Sequence, residues 1–279
     1  MRKTLLLALL VAAAACAAPR TLRDAQDAFN RAAETENRAR LADGWDAVTP
    51  AAPRARPEVF STADADYRAA LGILRGIGAE EEASLRADGL WVQKLTLEAL
   101  CHWKLEEHEQ AIAVAQQARG QADGVADQRD RALLIALPGL VINDQTRARI
   151  PRTPSPAPDR AERFEAIRAD LTDPATGAIA HLREARGAAE DHPVDVYLIQ
   201  CSLAVFKNLA DAYGNLTVRG FSDAENDAVA AMLHDYEGAC RAAFRLPAEP
   251  LRSFPARDAW LAQFPALVYD VEIGKVVRR

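Results

Sequence analysis

The sequence lacks the features that identify most nucleic-acid-binding and membrane-spanning proteins. Its 279 residues include 34 Lys and Arg against 40 Asp and Glu, for a formal net charge of −6. The basic residues are interspersed with acidic ones, whereas a nucleic-acid-binding face needs clustered positive charge. The most apolar internal run, Ala132–Ile142, is too short for a membrane-crossing helix of about 20 residues. The sequence therefore predicts no nucleic-acid partner and no internal membrane span.

Motifs that carry recognisable chemistry are also missing. Gly76-Ile77-Gly78 has neither the spacing nor the Lys of a phosphate-binding loop. No Gly-x-Ser-x-Gly turn and no Glu-x-x-His pair occurs, which removes the usual sequence marks of a hydrolase and of a helical di-iron site. Three pairs offer two metal ligands each, although a stable site needs three or four; we expect exposed helix-face pairs at His102 and Glu106, His181 and Glu184, and His234 and Glu237. We predict no catalytic residue, cofactor or metal.

Runs of strand-forming residues are scarce before the C-terminus, and Ala, the best helix former, makes up about a fifth of the chain. This composition predicts an all-α fold. The expected helices are 21–42, 62–77, 80–104, 107–121, 126–143, 160–171, 175–189, 194–213, 223–245 and 257–264. Pro138-Gly139 should kink or break its helix, and Gly214 should end one as a C-cap. The loop that follows, with Thr217 and Arg219, would either line a binding cleft or simply connect two helices.

The first sixteen residues have the pattern of an export signal. Arg2-Lys3 precedes the apolar run from Thr4 to Ala15, which is followed by Cys16. Ala13-Ala14-Ala15-Cys16 resembles the bacterial lipobox, although Ala13 stands where Leu is usual. The resemblance implies that Cys16 is lipidated and becomes the first mature residue, and that the protein faces the periplasm from the outer membrane. The alternative is an ordinary signal cut near Ala18, in which Cys16 is incidental.

The other cysteines are Cys101, Cys201 and Cys240, an odd number for an oxidising compartment. Each lies within an apolar helical pattern, so we expect buried, inert thiols, with one disulfide plus one thiol as the alternative. Two proline clusters, at 50–57 and 151–158, complete the division of the chain. We predict a removed signal at 1–15, a lipid anchor with an N-terminal helix and linker at 16–57, and a helical-repeat body at 58–279 with a Pro-rich loop at 145–159.

Small residues recur where paired helices would pack closely. Ala99, Ala111 and Ala118 form one set, and Ala178 with Ala185 repeats part of it. Ala111 and Ala178 are 67 residues apart, close to twice the 34-residue period of tetratricopeptide repeats. The chain thus resembles a divergent tetratricopeptide-repeat protein. That resemblance implies a right-handed array of antiparallel helix pairs that binds other proteins in a groove; an unrelated helical bundle is the alternative.

Four residues are candidates for partner binding. Trp91, His102 and Trp103 lie near one another on one predicted helix, where they would form a groove wall or pack in the core. Tyr269 belongs to the alternating segment 267–275, which would either lie extended along the helical body or add a strand to a partner's sheet.

These patterns favour a lipid-anchored helical protein that binds a protein partner as an assembly factor or scaffold. The first alternative is a periplasmic solute-binding or transporter-accessory lipoprotein, similar to the helical-repeat component of some tripartite transporters. The second alternative is a hydrolase with an unrecognised site.

Overall fold

A computed structural model describes residues 20–42, 59–189 and 193–244, and every regular element in these ranges is helical. The predicted all-α fold is confirmed. The α-helices are α1 (Arg20–Ala42), α2 (Val59–Arg75), α3 (Ala79–Ala87), α4 (Trp91–Lys104), α5 (His108–Arg119), α6 (Gln128–Arg149), α7 (Arg160–Thr172), α8 (Ala178–Gly187), α9 (Pro193–Ala212) and α10 (Asp223–Phe244). A 3₁₀-helix (Ala122–Gly124) and a π-helix (Tyr213–Thr217) complete the set. Within the described ranges, none of the helices combines the length and apolar character that a membrane crossing requires.

The chain divides into two compact units, residues 1–124 and 125–279. In the first unit α4 is the central helix, because α1, α2, α3 and α5 all pack against it. Ten of its fourteen residues are buried. A helix buried on so many sides is stabilised by tertiary packing more than by its own helix propensity.

The predicted single helix 80–104 is wrong, because the chain breaks between Ala87 and Trp91. Gly89 adopts a left-handed conformation with φ of 71°. The N–H of Leu90 then donates to the Leu85 carbonyl oxygen at 2.8 Å, which closes α3 with a Schellman motif. Leu90 itself is buried, so the turn also anchors the start of α4.

A short turn joins α4 to α5 and folds them back on each other. Glu106 occupies the left-handed position with φ of 63°, and the N–H of Glu107 donates to the His102 carbonyl oxygen at 2.9 Å. This is the same Schellman geometry, formed without glycine. The expected small packing residues Ala99, Ala111 and Ala118 are completely buried in this helix pair.

In the second unit α6 runs unbroken through Pro138, so of the two expected effects, a kink or a break, the break does not occur. All residues from Ala132 to Ile142 are buried, and this packing holds the helix together despite the proline. Gly139 marks the closest approach of α8. A Cβ at Gly139 would lie 2.7 Å from the Ala178 carbonyl oxygen and 2.9 Å from the Cβ of His181.

Helices adjacent in sequence pack as pairs at α1 with α2, α4 with α5 and α9 with α10. The second alanine set behaves differently. Ala178 and Ala185 are completely buried, but their helix α8 packs more extensively against α6 than against its sequence neighbour α7. The right-handed repeat array therefore stays a prediction.

Candidate partner-binding surface

Three of the four candidate partner-binding residues lie inside the first unit. Trp91, His102 and Trp103 belong to α4, and their exposed fractions are 7%, 2% and 5%. A groove wall needs accessible side chains, so this burial favours the alternative of core packing for all three. Tyr269 and the expected lipid-bearing Cys16 lie outside the described residues.

Trp91 is held between two cations. The Arg86 guanidinium carbon lies 4.2 Å from the ring centroid and the Lys94 ammonium nitrogen 4.9 Å from it, both within cation–π range. Lys94 is buried, and its ammonium lies 2.5 Å from a Glu98 carboxylate oxygen. The carboxylate neutralises a charge that would be costly to bury alone. The arrangement is that of a packed helix face.

His102 connects α2 to the turn after α4. Its Nδ1 lies 2.6 Å from a Glu107 carboxylate oxygen, and its Nε2 lies 3.4 Å from a guanidinium nitrogen of Arg75. A guanidinium only donates, so we assign Nε2 as the acceptor and Nδ1–H as the donor to Glu107. The expected exposed pairing with Glu106 is wrong, because the chain turns at that residue and brings Glu107 to the imidazole.

The other candidate ligands do not assemble into a site either. His181 is buried, so the expected exposed pair with Glu184 is also wrong, whereas His234 is exposed as expected. Among the residues that the structure describes, no group of three His, Cys, Asp or Glu is placed to hold a metal ion.

Cys101 is a completely buried thiol, as the sequence predicts. Burial, reinforced by the nearby Glu98 charge, raises the pKa of the Cys101 thiol far above its usual range, so the reactive thiolate does not form at neutral pH. Cys201 is also a thiol, but its side chain is only partly buried.

Two loops of the second unit form a surface of a different kind. We call residues 150–159 and 213–222 together the loop surface. The Asn215 side-chain amide donates to the Pro151 carbonyl oxygen at 2.8 Å, and the Ser155 N–H donates to the Asn215 carbonyl oxygen at 2.8 Å. One residue of the π-helix therefore fixes the Pro-rich loop at two points.

Four aromatic side chains form a cluster within and next to the loop surface. Tyr213 lies with its ring centroid 4.6 Å from that of Phe164 and 5.9 Å from that of Phe221, and Phe221 is 6.2 Å from Phe206. These tilted and edge-on contacts have the preferred geometry of aromatic pairs. The cluster connects α7, α9 and the loop before α10.

The polar side of this cluster is fixed by Glu225. The Tyr213 hydroxyl lies 3.2 Å from one Glu225 carboxylate oxygen, and the Ser222 N–H and hydroxyl donate to the same carboxylate at 2.8 and 2.7 Å. Ser222 and Glu225 thus form a capping box at the start of α10. Burial, together with the Glu225 charge, raises the pKa of Tyr213, so its hydroxyl remains a donor at neutral pH.

Val218 is the conspicuous residue of the loop surface. It adopts a left-handed conformation with φ of 59°. Its side chain is 75% exposed, and it is the one large apolar side chain that is exposed in the described part of the chain. A left-handed conformation costs a residue with a Cβ about 1–2 kcal/mol, and a β-branched residue is a true outlier there.

The sequence predicts that Gly214 ends the helix; that prediction is wrong, because the chain continues through Gly214 as a π-helix.

The loop surface also carries an excess of positive charge. The surface itself contains Arg152 and Arg219 against Asp159, and the adjoining end of α6 adds Arg147 and Arg149. Arg149 pairs with Asp170. The other three are exposed, and none of them forms an ion pair with any residue that the structure describes.

The sequence indicates both loops but not their association. Nothing in it shows that Asn215 meets a carbonyl 64 residues away, and a π-helix has no reliable sequence pattern. The Ser222-x-x-Glu225 pattern of the capping box could have been recognised from the sequence alone.

The fold defines an all-α protein of two compact units. Comparison of the chain with known protein families, curated proteins and solved structures finds no match.

Proposed function

We propose that this chain is a lipid-anchored, periplasm-facing helical protein that binds a protein partner, as an assembly factor or scaffold. The observation that carries the proposal is Val218, an exposed apolar residue kept in a left-handed conformation on a well-supported loop. Strained backbone persists only where the surrounding structure imposes it, and such positions cluster at binding and catalytic sites.

The supports of Val218 argue against an incidental loop conformation. The Thr217 hydroxyl donates to the Tyr213 carbonyl oxygen at 2.8 Å and accepts from the Arg219 N–H at 3.2 Å. A glycine at position 218 would satisfy the same backbone without strain. What valine adds is an apolar side chain in water, and burying it against a partner would contribute about 1.5–3 kcal/mol.

The proposed location rests on the N-terminal pattern. A basic start, an apolar run and small residues before Cys16 favour export followed by lipidation. Stable membrane attachment needs more than one acyl chain, which a diacylated cysteine provides. The residue after Cys16 is Ala17, and by resemblance to other bacterial lipoproteins this favours the outer membrane.

Site-directed photo-crosslinking in the bacterium that makes the protein tests the binding proposal. A photo-reactive amino acid at Gly220 lies two residues from Val218, and a side chain there meets nothing within 4 Å. Gly187, at the end of α8, is exposed and equally open, and provides the control. We expect a discrete protein adduct from position 220 and none from position 187. Absence of any adduct at position 220, or the same adduct from both positions, would contradict the proposal.

A further inference from the structure

We infer that the loop surface, together with the adjoining end of α6, binds an acidic segment of the partner, with Val218 packing against an apolar residue of that segment and Arg147, Arg152 and Arg219 binding its carboxylates. This inference rests on the proposed function and gives the partner's chemistry. It arises from charge complementarity, because the loop surface and the adjoining end of α6 carry four arginines against one carboxylate, Asp159, on a chain whose net charge is −6.

The three arginines differ from many others in the protein, whose guanidinium groups already have carboxylate partners. Arg86 pairs with Glu82 at 2.6 Å, Arg168 with Glu165 at 2.7 Å, and Arg186 with both Asp195 and Asp235 at 3.1 Å. Of the four arginines on the loop surface and the adjoining end of α6, only Arg149 has such a partner among the described residues. Exposed guanidinium groups without ion pairs are suited to bind carboxylates, which they contact with two parallel hydrogen bonds.

The geometry of the surface is fixed before the partner arrives. The two Asn215 hydrogen bonds hold the segment that carries Arg152 against the π-helix that precedes Arg219. Proline at positions 151, 154, 156 and 158 restricts the same loop further. A preorganised site loses less conformational entropy on binding, so modest contacts suffice for a measurable affinity.

An anionic membrane would match the same charges, but the apolar part of the surface does not suit it. Membrane-binding surfaces insert a broad apolar face rich in Trp, Phe or Leu. Here Phe164 and Phe206 are buried and Tyr213 and Phe221 are only partly exposed, which leaves Val218 as the one large apolar side chain classed as exposed among the described residues. A single valine with arginines on both loops fits an acidic peptide better.

Charge reversal in the full chain tests the inference, with the crosslinker at Gly220 as the probe. The triple variant Arg147→Glu, Arg152→Glu, Arg219→Glu should lower the adduct yield at least about tenfold, because three attractive contacts become repulsive. The matched control is Arg23→Glu, Arg68→Glu, Arg183→Glu, which alters the net charge equally at three exposed arginines without ion pairs to the described residues. The control should keep the wild-type yield, and the crosslinked partner peptide should be rich in Asp and Glu.

Three outcomes overturn the inference. An undiminished adduct yield in the triple Arg→Glu variant would show that partner binding does not depend on these arginines, and would exclude an acidic segment as the ligand. An adduct peptide without acidic residues would do the same. Crosslinking to phospholipid instead of protein would identify the surface as a membrane contact. Loss of the adduct supports the inference only if the variant keeps the wild-type thermal midpoint, which circular dichroism measures. A variant that unfolds is replaced by one with the three arginines changed to Gln. A reduced adduct yield is again expected for this variant, and an unchanged yield overturns the inference.

Discussion

Glu106 and Val218 are the two non-glycine residues in left-handed conformations within the described ranges, and each ends a helical segment. At both positions the chain must turn through a conformation that glycine adopts without steric cost. Glu106 lies in the turn of a helix pair, whereas Val218 lies on the exposed loop surface. The same backbone strain therefore has a structural use at one residue and, by our proposal, a binding use at the other.

Substitution by glycine separates these two uses. We expect Glu106→Gly and Val218→Gly each to raise the free energy of unfolding by about 0.5–1 kcal/mol, since relief of the left-handed strain exceeds the entropy cost of glycine. Only Val218→Gly should lower the adduct yield from position 220. Urea denaturation and the crosslinking assay measure the two effects. Destabilisation by Val218→Gly would show that the valine side chain packs within its own unit.

Tyr213 gives the protein a pH dependence at its alkaline limit. Because its pKa is raised on folding, the stability that its neutral hydroxyl contributes is fully present below about pH 10 and is lost as pH rises through the folded-state pKa. Tyr213→Phe should cost about 1 kcal/mol near neutral pH through loss of the hydrogen bond to Glu225. The difference between variant and wild type should shrink above about pH 10. Denaturation curves that keep a constant difference across this range would contradict the assignment.

At the scale of helices, the close approach of α8 to α6 reverses the usual effect of an alanine substitution. Glycine inside a helix normally costs about 0.5–1 kcal/mol relative to alanine. At Gly139, however, the added Cβ would collide with the Ala178 carbonyl oxygen, so Gly139→Ala should destabilise the second unit by about 1–3 kcal/mol. Gly72→Ala is the control, because a Cβ added at Gly72 in α2 would meet nothing within 4 Å, and it should stabilise the first unit. Thermal unfolding compares the two; equal stabilisation by both would rule out a tight contact at Gly139.

The helices were largely predictable because their apolar residues recur at helical spacing, and the buried alanines of α4, α5 and α8 follow directly from that pattern. The errors fall where tertiary packing or turn geometry overrides local preference. Gly89 breaks a run that otherwise looked continuous, and the chain continues as a π-helix through Gly214, where the sequence predicts a C-cap. The loop surface was not predictable as a unit, since Asn215 and Pro151 meet only after the helices between them have packed.

For the whole molecule, the predicted attachment to the outer membrane depends on one atom, the sulfur of Cys16. We expect bacteria supplied with a labelled fatty acid to incorporate the label into the wild-type chain and not into Cys16→Ser. Because the apolar run before residue 16 is unchanged in this variant, export itself should continue. The measurement is label per molecule of purified protein, with Cys101→Ser as the control that should label normally. Equal labelling of Cys16→Ser and wild type would contradict lipidation at this position.

The hydrogen bonds of Asn215 have a consequence for the route by which such a chain would reach the periplasm. The Asn215 side-chain amide donates to a carbonyl 64 residues away, and the Asn215 carbonyl accepts from the Ser155 N–H, with α7, α8 and α9 lying between in the sequence. An unfolded polypeptide in transit contains both loops, but the hydrogen bonds that join them have not formed. The partner would thus find no docking surface on a chain that is still being exported, or on one released before its second unit is complete. Binding would begin only after folding, so a partner at the membrane would bind folded molecules selectively, without a separate mechanism that recognises unfolded ones.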